Sequence, residues 1–192
     1  MKIYNQMIFD VAKIAKRSYP RLPYHNFCHG LEVWSVAKNY ALLNQVSEEE
    51  KFYLESAALL HDVIFVSGAE DNEEKSAQFA QNFLPDLGYS QEQIEQVKGL
   101  ILVTKWPTNP INLLEGIICD SDLDNLGGPD FFKKSIELMV EWGAQKGEDW
   151  YRKQLEFLEN NHYYTNAARK LRGPGKNNNA KSIKESLEGL KC

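Results

Sequence analysis

Four histidines are the residues of this chain best suited to metal or proton chemistry, and three of them stand in unusual surroundings. His61 is followed at once by Asp62, at the end of the apolar run 57–60. An ionised carboxylate there needs a partner or a metal, because burying an uncompensated charge is costly. Adjacent side chains on a helix point about 100° apart, so both can reach one ion beside the helix. The same pair could instead cap the helix or hydrogen-bond the next loop.

The other histidines are weaker candidates when taken one at a time. His29 opens a predicted helix, and His25 lies four residues earlier, in a loop that Pro23 favours. A single histidine at a helix start is most often a capping or packing residue, so His29 becomes a ligand candidate only together with other ligands. His162 lies in a stretch rich in Asn and Tyr, and we expect it to be structural.

A group of acids, Asp120, Asp122 and Asp124, follows the apolar run 113–119. Their alternate spacing is partly that of a calcium-binding loop, but the Gly and Glu that an EF-hand requires at its sixth and twelfth positions are both missing. We therefore expect one of these Asp side chains to extend from a buried helix towards a site. The others are expected to cap a helix or to be solvated.

Two imidazoles and two carboxylates from three separate helices form a mixed nitrogen and oxygen ligand set. Such a set suits a six-coordinate divalent ion with water in the open positions. We expect one ion, with Mn or Fe favoured over Co, Mg, Ni and Zn, since a structural zinc would favour Cys ligands. A metal with open positions lowers the pKa of its water and polarises a phosphoryl oxygen, and phosphate ester hydrolysis needs both effects.

Helical periodicity dominates the elements that must position these residues. Apolar residues recur at steps of three and four, and no Asn-Gly or Asp-Gly hairpin signal lies between alternating runs. Ser47 with Glu50 and, further on, Ser90 are helix N-caps, and Asn26 and Asn72 are also expected to cap helices. The predicted helices cover residues 3–15, 31–41, 48–60, 72–85, 91–103, 129–140 and 150–160. The pattern predicts an all-α protein, a bundle of helices.

Length and composition fit one domain, or one domain with a tail, at 192 residues. The 43% of hydrophobic residues excludes a wholly disordered chain. No apolar run approaches the roughly 20 residues that cross a bilayer, and the start of the chain lacks the apolar region of a secretion signal. Three cysteines, Cys28, Cys119 and Cys192, without metal-finger spacing argue against a disulfide framework, so we expect a protein of the reducing cytoplasm.

The net charge of −5 is unevenly distributed, because residues 160–184 contain six Lys or Arg and no Asp or Glu. This segment is expected to be either a solvated tail or a basic flap that meets an anionic ligand. A nucleic-acid partner is not expected, since a broad basic face with interleaved aromatic residues is missing. Residues 173–179, Gly-Pro-Gly-Lys-Asn-Asn-Asn, predict a flexible loop before a short last helix. The chain would then comprise a helical metal-binding domain, 1–165, and a basic extension, 166–192, that packs on it.

Together, these residues resemble the HD-domain superfamily of metal-dependent phosphohydrolases. The signature of that superfamily is a His, then a His-Asp pair, then a distant Asp, and it is matched here by His29, by His61-Asp62 and by an Asp in the segment 120–122. The similarity is strongest with a small group of predicted HD phosphohydrolases of about this length. The matching segments are 23–29, 60–62, 71–77 and 120–127.

The resemblance implies a helical fold around one metal, bound by His29, His61, Asp62 and the distal Asp, for which Asp122 is favoured over Asp120. The implied reaction is hydrolysis of a phosphomonoester or phosphodiester, of a nucleotide or another small metabolite, by metal-activated water. HD enzymes with two metals use further histidines, so a single ion is expected here.

The resemblance also suggests roles for residues around the metal. Glu73 and Glu74, together with Asp62, are candidates for positioning or deprotonating the attacking water, although an acid in a first helical turn also complements the helix dipole. His25 and Lys105 are candidates for contact with the substrate phosphate. Alternatively, His25 holds its loop by hydrogen bonds and Lys105 is a surface residue.

The sequence is compatible with three alternative functions. The first is the hydrolase, with a small phosphorylated substrate as its partner, no membrane association, and a homo-oligomer left open. The second is a catalytically silent HD-fold module that binds a nucleotide or signals without turnover, which the loss of a ligand would favour. The third is a structural helical domain with a satisfied buried polar cluster.

Overall fold

The computed structural model describes residues 2–190, and that part of the chain contains helices and no strand. The helices are α1 (Lys2–Ser18), α2 (Phe27–Leu43), α3 (Glu48–Leu60), α4 (Asn72–Phe83), α5 (Gln91–Leu102), α6 (Leu113–Asp122), α7 (Phe131–Glu141), α8 (Glu148–Asn160) and α9 (Asn166–Gly189). Two 3-10 turns, Leu84–Leu87 and Asp124–Gly127, follow α4 and α6. The predicted all-α class is confirmed.

Helix α3 forms the centre of the core. All of its residues from Phe52 to Leu60 are buried, and α1, α2, α5 and α6 pack around it. A helix that is apolar on every side is stable only when it is enclosed in this way. Its buried Glu55 carboxylate accepts a hydrogen bond from Trp34 Nε1 at 2.7 Å, so the charge has a partner. Because α3 is enclosed by its neighbours, the position of the residues that directly follow it is also fixed.

The predicted caps define the starts of three helices. Ser47 and Ser90 each form a capping box, with Glu50 and with Gln93, so α3 and α5 begin directly after them. Asn26 caps α2 with its side chain. The local side-chain chemistry therefore sets these boundaries, as expected for N-caps.

Two boundary residues differ from the prediction. Asn72 is the first residue of α4 but caps no helix, because its amide instead accepts from Val66 N (2.9 Å) and donates to Val66 O (3.1 Å). Asn72 thereby holds the loop before α4 in place. Helix α7 begins at Phe131 and not at Pro129, since residues 128–131 first form a turn closed by the Phe131 N–H and the Gly128 carbonyl.

The prediction of a flexible loop at residues 173–179 is wrong. This segment lies inside α9, which runs unbroken with Pro174 in its interior. The division into a metal-binding domain, 1–165, and a basic extension that packs on it, 166–192, stays a prediction. Helix α9 packs on α8 and on the turn Asp124–Gly127. The last residues of the predicted extension, including Cys192, lie outside the described part of the chain.

Gly127 and Gly175 allow close packing of α9 on the turn Asp124–Gly127. A Cβ atom on Gly175 would lie 2.2 Å from the carbonyl oxygen of Gly127, and a Cβ on Gly127 would lie 2.1 Å from that of Arg172. Asn179 adds a hydrogen bond from its side-chain amide to Leu126 O at 2.9 Å. These contacts outweigh the poor helix propensity of Gly and Pro, as tertiary context often does.

Two further features concern membrane spans and the state of the cysteines. Across the described residues, no helix combines the length and apolarity that a membrane span requires. Cys28 is exposed and Cys119 is buried, and both are free thiols.

Candidate metal centre

His29 is presented by the first turn of α2, whose start is fixed by Asn26. The side-chain oxygen of Asn26 accepts hydrogen bonds from the N–H groups of Cys28 (2.8 Å) and His29 (3.3 Å), and its amide donates to Leu22 O (2.9 Å). These bonds join the helix start to the preceding loop. The His29 ring is buried as a result of this arrangement.

His61 and Asp62 directly follow α3. His61 Nδ1 lies 2.9 Å from Ala58 O, and because a carbonyl only accepts, Nδ1 carries the hydrogen, so that in the neutral ring Nε2 keeps a lone pair. That tautomer leaves Nε2 ready to bind a metal. The turn that follows is held against α4 by Ser76, whose hydroxyl accepts from Ile64 N (3.1 Å) and donates to Ile64 O (3.2 Å).

Asp122, the last residue of α6, completes the cluster. Its Oδ1 lies 3.2 Å from His29 Nε2 and 3.3 Å from His61 Nε2. Asp62 Oδ2 lies 3.6 Å and 3.2 Å from the same two nitrogens, which are 3.2 Å apart. One ligand atom from each of the four residues therefore lies within 4.8 Å of all the others.

These spacings fit a single divalent ion. Ligand atoms that bind a metal at about 2.0–2.2 Å in neighbouring positions are about 3.0–3.5 Å apart. Two imidazole nitrogens and two carboxylate oxygens form a donor set that first-row divalent ions accept. The buried His/Asp group can therefore hold a metal, and the donor set alone does not determine which one.

The carboxylates and imidazole rings of the cluster stabilise one another's charged forms. Burial by itself raises the pKa of Asp62 and of Asp122, but the His61 and His29 rings hold both pKa values below the usual range. Burial likewise lowers the pKa of His29 and of His61, and the two carboxylates more than reverse this effect, so that both pKa values are raised. A metal ion that binds here must therefore displace protons.

Asp120, the alternative distal ligand, lies outside the cluster. Its carboxylate accepts hydrogen bonds from the N–H groups of Tyr164 (2.7 Å) and Thr165 (2.8 Å), just before α9. Burial raises the pKa of Asp120, and these hydrogen bonds act against the increase. Asp120 thus connects α6 to the start of α9.

The two acids predicted on α4 have different surroundings. Glu74 is exposed and forms an ion pair with Lys105, with Oε1 and Nζ 2.5 Å apart, so these two predicted site residues contact each other and not the cluster. Glu73 is partly buried in the first turn of α4. Burial raises the pKa of Glu73, and the charge of Asp62 raises it further. Of the two acids, Glu73 is therefore the one whose pKa is raised by a carboxylate of the cluster.

His25 lies beside the cluster in an environment that the sequence does not indicate. Its ring stacks on Phe65, with centroids 3.5 Å apart, and its Nε2 lies 3.9 Å from Asp62 Oδ2. Its Nδ1 pairs with the carboxylate of Glu141, at the end of α7. Burial raises the pKa of Glu141, but the hydrogen bond and charge of His25, together with the main-chain N–H groups of His25 and Tyr24, lower it by more.

A cavity of about 270 Å³ opens beside the cluster. Its lining includes Tyr24, His29, Asp122, Asn125, Lys134 and Arg172. Lys134 pairs with Glu32 (2.5 Å) and Arg172 with Asp124 (2.8 Å), so both cations also have acidic neighbours. The basic segment 160–184 therefore contributes Arg172 to the cavity wall.

Sequence reasoning did not single out Glu141 or Lys134. The two residues are seven positions apart on α7, which places them on the same face of that helix. The sequence contains this spacing, but only the orientation of α7 in the fold shows that this face is directed at the site. Tyr24 lay within the motif 23–29 without an assigned role, although Asn125 Nδ2 donates to its hydroxyl at 3.0 Å.

The described residues form an all-helical bundle in which a His, a His-Asp pair and a distal Asp lie in one cluster. The chain is similar to the crystal structure of Bacillus subtilis YpgQ in complex with ADP, at 17% identity and a TM-score of 0.73, over 99% of this chain and 100% of that chain. It is also similar to a predicted HD superfamily hydrolase from an uncultured Thermotogales bacterium, at 20% identity and a TM-score of 0.63, over 96% and 91%. The Lin1889 protein from Listeria innocua matches at 15% identity and a TM-score of 0.66, over 98% and 96%.

These similarities confirm the predicted HD-type fold. At such low sequence identities they concern the fold alone. No family model matches the sequence, and no curated protein matches it.

Proposed function

We propose that this chain is a metal-dependent phosphohydrolase that cleaves a phosphomonoester or phosphodiester of a nucleotide or another small metabolite. The observation that carries the proposal is the convergence of four ligand atoms, from three separate segments, within 4.8 Å of one another. Burying two carboxylates is costly unless a counter-charge offsets it. A divalent ion would supply this counter-charge and would be bound by both neutral imidazoles as well, which supports a metal-binding task for the cluster.

His29, His61, Asp62 and Asp122 would hold one divalent ion, with Mn or Fe favoured. Such an ion, when bound, lowers the pKa of a water and polarises a phosphoryl oxygen. The four side chains keep their relative positions because three segments of the core, the start of α2, the end of α3 and the end of α6, hold them. The burial of His29, His61 and Asp62 also limits bulk water, which strengthens the electrostatic interactions at the site.

The cavity beside His29 and Asp122 is the proposed entry for the substrate phosphate. Lys134 and Arg172 bring two cations to its wall, and cationic side chains form strong hydrogen bonds to phosphate. A volume of about 270 Å³ accommodates the phosphate end of a substrate but is small for a whole drug-sized ligand, so the remainder would extend outwards. The ADP in the YpgQ complex supports a nucleotide as the substrate class.

Around this site, Glu73 and Asp62 are proposed to position the attacking water. A carboxylate whose pKa is raised by burial, as that of Glu73 is, is the better proton acceptor near neutral pH. His25 is proposed to contact the reacting groups. Lys105 is proposed to contact the substrate phosphate after leaving its pair with Glu74, which would otherwise keep it at the surface.

Turnover and metal content together test the proposal. Protein stripped of metal and reloaded with Mn should hydrolyse an aryl phosphate or members of a nucleotide panel, with one ion bound per chain. Asp62→Ala should lose both the ion and the activity, because it removes a ligand and leaves the cluster short of charge. Asp149→Ala, which removes an exposed acid on α8, is the matched control and should keep both.

Three results would contradict the proposal in different ways. Full metal occupancy in Asp62→Ala would show that the ligand set is wrong. Nucleotide binding without turnover by the metal-loaded protein would favour the silent HD-fold module. Absence of metal binding by the unmodified protein would favour a structural polar cluster.

A further inference from the structure

Glu141 holds the loop that carries His25 by three contacts. Its Oε2 accepts the N–H groups of Tyr24 and of His25, each at 2.9 Å, and its Oε1 pairs with His25 Nδ1. The Glu141 side chain has 0% exposure, although 116 residues separate it from His25 in the sequence. Both oxygens of this buried carboxylate are therefore committed to one short loop beside the candidate metal centre.

The contact with Glu141 determines where the hydrogen of the neutral His25 ring lies. An ionised carboxylate only accepts hydrogen bonds, so Nδ1 carries the hydrogen. In the neutral ring Nε2 then has a lone pair. The stacking of the ring on Phe65, at an interplanar angle of 12°, holds the plane of the imidazole and thus the direction of that lone pair.

His25 Nε2 is directed at the cluster. It lies 3.9 Å from Asp62 Oδ2, which is too far for a direct hydrogen bond. Two acceptors at this separation can both be reached by the hydrogens of a single water. His25 itself is not one of the four residues whose ligand atoms converge, so its lone pair is free for such a contact.

We propose that Glu141 is a positioning residue that fixes His25 in its Nδ1–H tautomer, so that His25 Nε2 accepts a hydrogen bond from the attacking water and orients it. This inference rests on the proposed function, because it assigns a task at the same site. It gives His25 the role of an acceptor for water in place of a donor to phosphate.

Glu141→Gln separates the tautomer from the anchoring of the loop. The amide oxygen of Gln can still accept both main-chain N–H groups. The amide nitrogen then faces Nδ1 and can only donate to it, so the hydrogen of the neutral ring must move to Nε2. The substitution therefore keeps the loop in place while it converts Nε2 from an acceptor into a donor.

The first measurement is the nitrogen-15 NMR spectrum of the histidine rings in metal-free protein at alkaline pH. The chain has only four histidines, so the His25 signals are assigned by their loss in His25→Gln. The expected result is a protonated Nδ1 and an unprotonated Nε2 in the unmodified protein, and the reverse in Glu141→Gln. An unchanged tautomer in Glu141→Gln would overturn the inference. This readout needs no substrate, so it tests the effect of Glu141 on the His25 tautomer separately from the proposed hydrolase function.

The second measurement is steady-state kinetics of the Mn-loaded protein. In Glu141→Gln, kcat is expected to fall about 100-fold with KM little changed, because orientation of the attacking water is lost while substrate binding is kept. His25→Gln should lose a similar factor. The double variant should be no slower than His25→Gln, since Glu141 acts through His25. Losses that multiply in the double variant would show that Glu141 acts independently and would overturn the inference.

Ser135→Ala is the matched control on the same helix. Ser135 accepts a hydrogen bond from Trp150 Nε1 at 2.9 Å and so anchors α7 without contacting the His25 loop. Its removal should lower stability but leave kcat close to that of the unmodified protein. A fall in kcat as large as that of Glu141→Gln would attribute the effect to loosening of α7. Loss of the metal ion from Glu141→Gln would likewise contradict a positioning role.

Discussion

Asp120 and Asp122 show how two residues of one type on one helix have different tasks. They are two positions apart on α6, about 200° around the helix axis, so only one of them can face the cluster. Asp122 contacts His29 and His61, whereas Asp120 accepts two main-chain N–H groups before α9. Helix geometry predicts the division of tasks, but which residue has which task depends on the orientation of α6.

Matched amide substitutions separate these tasks. Asp122→Asn should lose the metal ion, because a neutral amide is a poor ligand in place of a carboxylate, and it should also lower the stability of the metal-free protein, because the carboxylate that pairs with the His29 and His61 rings is gone. Asp120→Asn should keep one ion per chain but lose about 1–3 kcal/mol of unfolding free energy, since a buried hydrogen bond acceptor is replaced by a donor. Metal analysis and urea unfolding measure the two effects, and loss of metal from Asp120→Asn would show that the assignment is reversed.

The candidate ligands could be predicted because their residue types are rare and their order is distinctive. Histidine occurs four times in the chain, and His61-Asp62 follows an apolar run. Glu141 could not be predicted in this way, because it is one of 27 acidic residues and nothing in its local sequence distinguishes it. Its importance depends on where α7 ends relative to the His25 loop, which is a property of the folded chain.

At the scale of single elements, the starts of α3 and α5 could be predicted from their N-caps, and the conformation of α9 could not. A cap is a local hydrogen bond, so four residues of sequence contain it. The helical state of residues 173–179 depends instead on contacts with the turn Asp124–Gly127. Composition alone therefore predicted a loop where packing produces a helix.

Two glycines of α9 provide a direct test of this packing. Gly173→Ala should change the unfolding free energy by less than about 1 kcal/mol, because the new Cβ would meet no other part of the protein within 4 Å, and the helix propensity of Ala is opposed by the clash of its Cβ with the following Pro174. Gly175→Ala should destabilise it by about 1–3 kcal/mol, since its Cβ would lie 2.2 Å from Gly127 O. Urea unfolding of the two variants measures the difference. Equal effects of both substitutions would mean that α9 does not pack on the turn Asp124–Gly127.

At the scale of the whole molecule, the cluster connects α2, the end of α3 and α6. An ion bound to all three segments binds only the folded chain, so it should stabilise the fold by mass action.

The sequence predicted the all-α class from its helical period, which is repeated along the chain. It could not predict the cavity, because Lys134 and Arg172 reach its wall from α7 and α9.

Thermal unfolding with and without the ion tests this connection. Free Mn at about 100 times its Kd should raise Tm by about 5–10 °C. Because the pKa values of His29 and His61 are raised in the fold, their protonated rings stabilise the metal-free protein at low pH, and this contribution is lost as the pH rises through those pKa values. The ion competes with the same protons, so the increase in Tm should grow with pH. A Tm that does not respond to the ion at any pH would contradict the connection of three segments by one metal.

Anomalous diffraction from crystals grown with Mn tests whether one ion binds between the four ligand residues. One strong anomalous peak per chain is expected, about 2.0–2.2 Å from His29 Nε2, His61 Nε2 and one oxygen each of Asp62 and Asp122. The four side chains should keep the arrangement in which their ligand atoms lie within 4.8 Å of one another. Crystals saturated with Mn that show no peak between these four residues, or a peak bound by other residues only, would contradict this expectation.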